Sequence, residues 1–134
     1  MFRSLLLALP LVFIAASATA GDTDAVDCKN AMVQNDLNFC ANKDYLASDK
    51  KLNAVYAKVM AAVNDAGYQA KLKAAQRAWI PFRDSECTFE VAINEGGSIY
   101  PMVYAMCLTK VTDARTKELQ TYLECWNAGD KCMN

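Results

Sequence analysis

The chain has 134 residues, 54% of them apolar and 22% charged, with a formal net charge of -1. This length suits one globular domain, and the composition is far from that of a disordered chain. The near-neutral charge offers no basic field for a nucleic acid, and the lack of histidine excludes histidine-based triads, histidine-containing zinc sites and the usual haem attachment motif.

At the N-terminus, Arg3 precedes an almost unbroken apolar run over residues 5–16, and Ala18-Thr19-Ala20 forms a small-x-small site before Gly21. This order predicts a cleaved signal peptide over residues 1–20, with Ala16-Ser17-Ala18 as the alternative cleavage site. The run is short for a membrane span, and no basic stop-transfer group follows it. The first cysteine, Cys28, stands beyond Asp22, Asp24 and Asp27, which argues against lipid attachment. The expected product is a single exported domain over residues 21–134 with no stable membrane anchor after cleavage. It would be periplasmic in a host with an outer membrane and secreted otherwise.

One helical turn is expected over residues 29–32. From Leu37, the series Leu37, Ala41, Tyr45, Ser48, Leu52, Val55, Val59 and Val63 advances in steps of three and four, which predicts a helix over about 35–65. Asn64-Asp65-Ala66-Gly67 reads as its stop, with Gly67 able to take a left-handed cap. A second helix is expected over about 69–91, its buried stripe marked by Leu72, Ala75, Trp79 and Phe82. Pro81 falls inside it. A kink is favoured over a break because the apolar phase continues to Cys87 and Val91. Asn94-Glu95-Gly96-Gly97-Ser98 is the clearest loop. Pro101 suits the first turn of a third helix over about 101–125, followed by a short tail. The fold class is therefore all-α: an antiparallel bundle of three main helices, with room for a short N-terminal helix.

Cys28, Cys40, Cys87, Cys107, Cys125 and Cys132 form an even set in an exported chain and read as three disulfides. No CxxC pair points to metal binding or redox chemistry. Counting residues from each hairpin turn at 1.5 Å rise per residue places Cys40, Cys87 and Cys107 at similar heights. That favours Cys28–Cys87 with Cys40–Cys107. Cys28–Cys107 with Cys40–Cys87 stays open, since six cysteines allow 15 connectivities. Cys125 and Cys132 are expected to pair with each other.

Arg77, Arg83, Asp84, Asp113 and Arg115 are the charged residues best placed to join neighbouring helices. Salt bridges and caps are the favoured reading, not catalysis, and no enzyme activity or cofactor is implied. Trp79, Phe82, Tyr45, Tyr56, Tyr100 and Tyr104 read as core, with a ligand pocket between the helices as the alternative. Asp49 and Asn53 share a helix face and can bond to a neighbouring helix. The loop residues Glu95, Ser98, Ile99 and Tyr100 are the candidate partner-binding residues, presented on a braced scaffold with Glu86 and Glu90 nearby.

Several blocks then resemble one family. They are Asp27-Cys28, Leu37-Asn38-x-Cys40-Ala41, Tyr45 with Ala47, and Leu52-Asn53-x-x-Tyr56. The longest is Ala75-Gln76-Arg77-x-Trp79-Ile80-x-Phe82-Arg83-Asp84-x-x-Cys87. Gly96-Gly97-Ser98, Cys107-Leu108 and Thr112-x-x-Arg115-x-x-x-Leu119 complete the pattern over about residues 27–120. Together they resemble the LprI-like family of secreted proteins, named for a bacterial lysozyme inhibitor. The resemblance implies a small helical, disulfide-bearing exported domain, with Trp79, Phe82, Arg83, Asp84, Thr112 and Arg115 as its structural motif. It also implies lysozyme inhibition by protein–protein binding. Another envelope protein as partner, without lysozyme inhibition, is the alternative. Pro81 departs from the helix former expected at its position, and Cys125 and Cys132 lie beyond the usual four-cysteine core.

Overall fold

The computed structural model describes residues 26–129. The expected signal peptide, and Cys132 of the expected Cys125–Cys132 bridge, lie outside the described residues. Three helices account for most of the chain: α1 (Gln34–Ala62), α2 (Ala66–Glu90) and α3 (Tyr100–Ala128), with a 3₁₀ turn at Ala92–Asn94. Successive helices run antiparallel, so α1 and α3 are parallel. The register of their contacts shows it, because Asn38 meets Ser98 and Ser48 meets Asp113 further along both helices.

The most extensive helix contact is between α1 and α3, which are not neighbours in sequence. Their seam contains small buried residues, Ala41 and Ser48 on α1 and Ala105 and Thr112 on α3. Small side chains let two helix axes approach closely. Helix α2 stands further off and reaches the pair through long side chains. The buried residues of α2 are Gln76, Arg83 and Cys87, with Leu72 and Trp79 half-buried. The expected stripe is thus corrected by about one residue, since Ala75 and Phe82 face outward while Gln76 and Arg83 face inward. Polar side chains hold interior positions that a hydrophobicity pattern assigns to their apolar neighbours.

Two apolar clusters fill the interior. One joins Leu52, Val55, Val59, Val63 and Leu119, with Leu72, Trp79 and Trp126 packed against it. The other joins Cys87, Val91, Cys107 and Leu108, flanked by Tyr45, Tyr100 and Tyr104. Each fully buried aliphatic side chain of this kind contributes about 1.5–3 kcal/mol of transfer free energy. Buried Ser48, Arg83, Thr112 and Arg115 lie between or beside the two clusters.

The helix ends explain several differences from the sequence reading. Gly67 belongs to the first turn of α2 and caps nothing. Instead α1 ends at an extended Val63, and Asp65 caps α2 by accepting from the Tyr68 amide at 2.8 Å. Such a cap is typically worth about 1 kcal/mol. The Gln69 side chain donates back to the carbonyls of Met60 and Val63 at 3.0 and 2.7 Å, satisfying the end of α1. Helix α2 runs through Pro81 without interruption, so the two-helix alternative is excluded. Helix α3 extends past the expected end to Ala128, where Gly129 takes a left-handed conformation (φ 75°). Trp126, Asn127 and Ala128 therefore belong to the helix rather than to a tail.

The expected helical turn over 29–32 is absent. Asp27 instead organises a tight turn, its carboxylate accepting from the Lys29 amide at 3.0 Å and from Asn30 Nδ2 at 2.7 Å. Those bonds to the charged form hold the Asp27 carboxyl below the usual range. The turn carries Cys28 back over the start of α1, where it bonds to Cys40 across a Cα–Cα distance of 5.5 Å. Cys87 bonds to Cys107 across 5.6 Å, pinning the end of α2 to the second turn of α3. Both expected connectivities are thereby overturned. Height along the bundle puts these cysteines within one layer. The local turn and the rotation of each helix decide the partners, and both bridges close short spans of 12 and 20 residues.

Candidate functional site

The side chains with most chemistry converge on Arg83. Its guanidinium is buried and donates through Nε and Nη2 to Asp84 Oδ1, at 2.9 and 2.8 Å, with a longer contact of 3.4 Å to Asp49 Oδ1 on α1. It also lies 5.4 Å from the Tyr45 ring centroid and 5.2 Å from that of Trp79. A planar, weakly hydrated cation suits this position because it can stack and fork at once. Burial pushes the Tyr45 phenol above its ordinary range, and Asp49 and Asp84 push it the same way, against the opposing pull of Arg83.

Because α2 stands away from α1, a groove of about 340 Å³ opens between them beside Arg83. Leu52 and Trp79 form its apolar side, and Gln76, Asn53, Lys73 and Arg77 line its polar side. Deeper in the bundle, Gln76 Oε1 accepts from Arg115 Nε at 3.1 Å, and Arg115 Nη1 reaches Glu118 at 2.7 Å. The Ser48 hydroxyl donates to Asp113 Oδ1 at 2.5 Å. The five charged residues singled out in the sequence are therefore distributed over separate contacts. Arg83 and Asp84 pair with each other, Asp113 holds α1, Arg115 holds α2, and Arg77 lies exposed on the groove. Asp49 reaches the neighbouring helix as expected, while Asn53 donates to Asp49 along its own helix at 2.9 Å. Arg83 is neutralised by Asp84 and Asp49, and Arg115 by Glu118, which is the arrangement of a braced scaffold.

The loop residues divide in the same way. Glu95 and Ser98 are exposed, and Ile99 is 38% exposed. The Ser98 carbonyl accepts from Asn38 Nδ2 at 3.1 Å, which ties the loop to α1. Gly96 has φ 76°, the conformation for which glycine is suited. Tyr100 turns inward, stacks on Tyr104 with centroids 5.9 Å apart, and packs on the Cys87–Cys107 cluster. Tyr100 thus supports the loop, while Glu95 and Ser98 lie on its surface.

Sequence reasoning missed two groups. Gln76 is a buried bridge between α2 and Arg115, although its position seven residues before Arg83 was a legible signal. Phe82, expected in the core with Trp79, is 58% exposed, and Phe89 and Ile93 are 79% and 94% exposed. The apolar residues of α2 fall in two helical phases, and only one can face the bundle.

Residues 27–119 match the protein family described as lysozyme inhibitor LprI. An uncharacterized protein, R02472, of Rhizobium meliloti (strain 1021) is 38% identical over 129 residues, covering 87% of this chain and 93% of that protein. The uncharacterized protein YecT of Escherichia coli (strain K12) is 30% identical over 151 aligned positions, covering 91% of each. No solved structure matches the chain.

Proposed function

Given that the chain belongs to the LprI family, we propose that it is an exported protein that works by protein–protein binding and that its target is a lysozyme, which it inhibits. The family match over residues 27–119 carries this reading. The leader-like segment and the even cysteine set support export. The mutually neutralised charges around Arg83 and Arg115 support a scaffold that binds rather than a centre that reacts. A mildly acidic chain, with a pI near 5.4, suits electrostatic encounter with a basic lysozyme.

The test is quantitative inhibition of lysozyme by the oxidised protein recovered from a bacterial envelope, with its N-terminus read by mass spectrometry. Several lysozyme classes belong in the assay, with direct binding measured in parallel. The expected result is a chain beginning at Gly21 that inhibits at least one class stoichiometrically, with a Kd of about 1 μM or tighter. An exported protein that neither binds nor inhibits any class would sink the inhibitor reading and direct attention to another envelope partner.

A further inference from the structure

The outward face of α2 holds more apolar surface than a solvated helix needs. Phe82 and Phe89, seven residues apart, lie on one side of α2, and exposed Ile93 follows in the 3₁₀ turn just beyond its end. Phe82 and Phe89 stand about 10 Å apart along the axis. Exposed Glu86 falls between them on the same side. Scattered apolar residues on a surface are ordinary, but aligned aromatic anchors mark recognition surfaces.

The charges carried by this segment of the chain have one sign. Residues 84–99 include Asp84, Glu86, Glu90 and Glu95 and no lysine or arginine. Asp84 is engaged by Arg83, and Glu90 by Lys110 at 2.7 Å. Glu86 and Glu95 remain exposed at the middle and far end of the stripe. We propose that Phe82, Phe89 and Ile93, with Glu86 and Glu95, form the docking surface for a basic protein, one that presents an apolar side chain flanked by lysine or arginine. This names the binding surface behind the inhibitor reading and rests on that reading. Apolar anchors would supply the contact area, and the two carboxylates would steer encounter and fix orientation. Two copies meeting patch to patch would oppose like charges, which disfavours a symmetric self-contact.

The experiment compares the oxidised wild-type protein with Phe89→Ser/Ile93→Ser, with Glu86→Lys/Glu95→Lys, and with Lys58→Ala on α1 as a control. All are exposed positions, and circular dichroism checks each fold. Binding is measured to a basic c-type lysozyme and, separately, to a helical peptide of lysine and leucine. The expected result is a loss of affinity of 100-fold or more for the apolar pair and at least 10-fold for the charge reversal, with the control unchanged. Lysozyme binding that survives both patch variants would overturn the surface and leave the inhibitor reading standing. No lysozyme binding, but peptide binding that needs the patch, would overturn the inhibitor reading and leave the surface standing. Binding of neither probe would overturn both. Sedimentation tests the rival occupant, the stripe of Phe39, Lys43, Leu46 and Lys50 on a second copy. That contact would be head-to-tail, giving a ring or a filament according to its rotation, so concentration-dependent association abolished by Phe89→Ser/Ile93→Ser would assign the surface to self-association instead.

Discussion

Thr112 shows how closely single side chains are tuned in this interior. It is fully buried, and its hydroxyl has no hydrogen-bond partner among the described residues, although its carbonyl accepts from Thr116 Oγ1 at 2.9 Å. A buried, unsatisfied hydroxyl costs about 1–3 kcal/mol. Thr112→Val keeps the shape and removes that cost, so urea unfolding is expected to show a gain of about 1 kcal/mol. A loss would mean that the hydroxyl is hydrogen-bonded in solution. Tyr45 makes a second prediction. Burial raises its pKa in the fold, so the phenol's contribution to stability is intact below its unfolded value near 10 and fades as the pH rises through the higher folded value. Absorbance titration should find a tyrosine that ionises above the ordinary phenol range, and Tyr45→Phe should remove that step. Neither environment is legible in the sequence, where Thr112 and Tyr45 are simply members of helical stripes. Their surroundings come from α2 and from the neighbouring helix, across long chain separations.

The three helices answer to different rules. In α1 the apolar periodicity and the buried set agree, with Ala41, Ser48, Leu52, Val55 and Val59 all buried. In α2 they disagree, because the bundle needs the long polar arms of Gln76 and Arg83 to cross a wider gap. Pro81 is tolerated because it lies on the exposed side of α2, where water can take the carbonyl left without a donor. The tolerated residue is still unfavourable, since proline in a helix interior costs about 3 kcal/mol relative to alanine. Pro81→Ala is therefore expected to raise stability by about 1–3 kcal/mol, read as a higher urea midpoint with an unchanged m-value. No change would show that the rest of α2 is already adapted to the missing bond. The end of α3 follows the C-terminal glycine rule at Gly129, while Gly67, which looked equivalent, lies within the first turn of α2. Asp65 makes the difference, because its carboxylate is placed to start a helix rather than finish one.

For the molecule as a whole, the two described disulfides have unequal duties. Cys87–Cys107 ties α2, the helix with the thinner packing, to α3. Cys28–Cys40 ties an exposed turn to α1. Chain-entropy arguments assign each loop about 3 kcal/mol, but that benefit reaches the global fold only where both ends belong to the cooperative core. Replacing Cys87 and Cys107 with alanine is expected to lower global stability by about 3 kcal/mol and speed amide exchange along α2. Replacing Cys28 and Cys40 should free the segment before α1 and cost less than about 1.5 kcal/mol. Equal losses from the two pairs would show that the N-terminal turn is part of the folding unit. The same thin packing of α2 leaves the groove beside Arg83 on one side and the Phe82–Phe89–Ile93 stripe on the other.

From its sequence alone, the chain was legible as an all-helical, disulfide-bearing domain, because helical periodicity, proline and glycine punctuation and cysteine content are local signals, while its likeness to the LprI family lay in the residue blocks between Asp27 and Leu119. Three helices, the loop at Gly96 and the start of α3 at Pro101 follow from those signals. The tertiary structure decided which cysteines meet, which stripe of α2 turns inward, and that α1 packs most closely on α3. Those outcomes depend on helix rotation and interhelix distance, set by small side chains at one seam and by Arg83 and Gln76 at another. Hydrophobicity along a single chain does not encode that difference, so Phe82 reads as core until the neighbouring helices are in place.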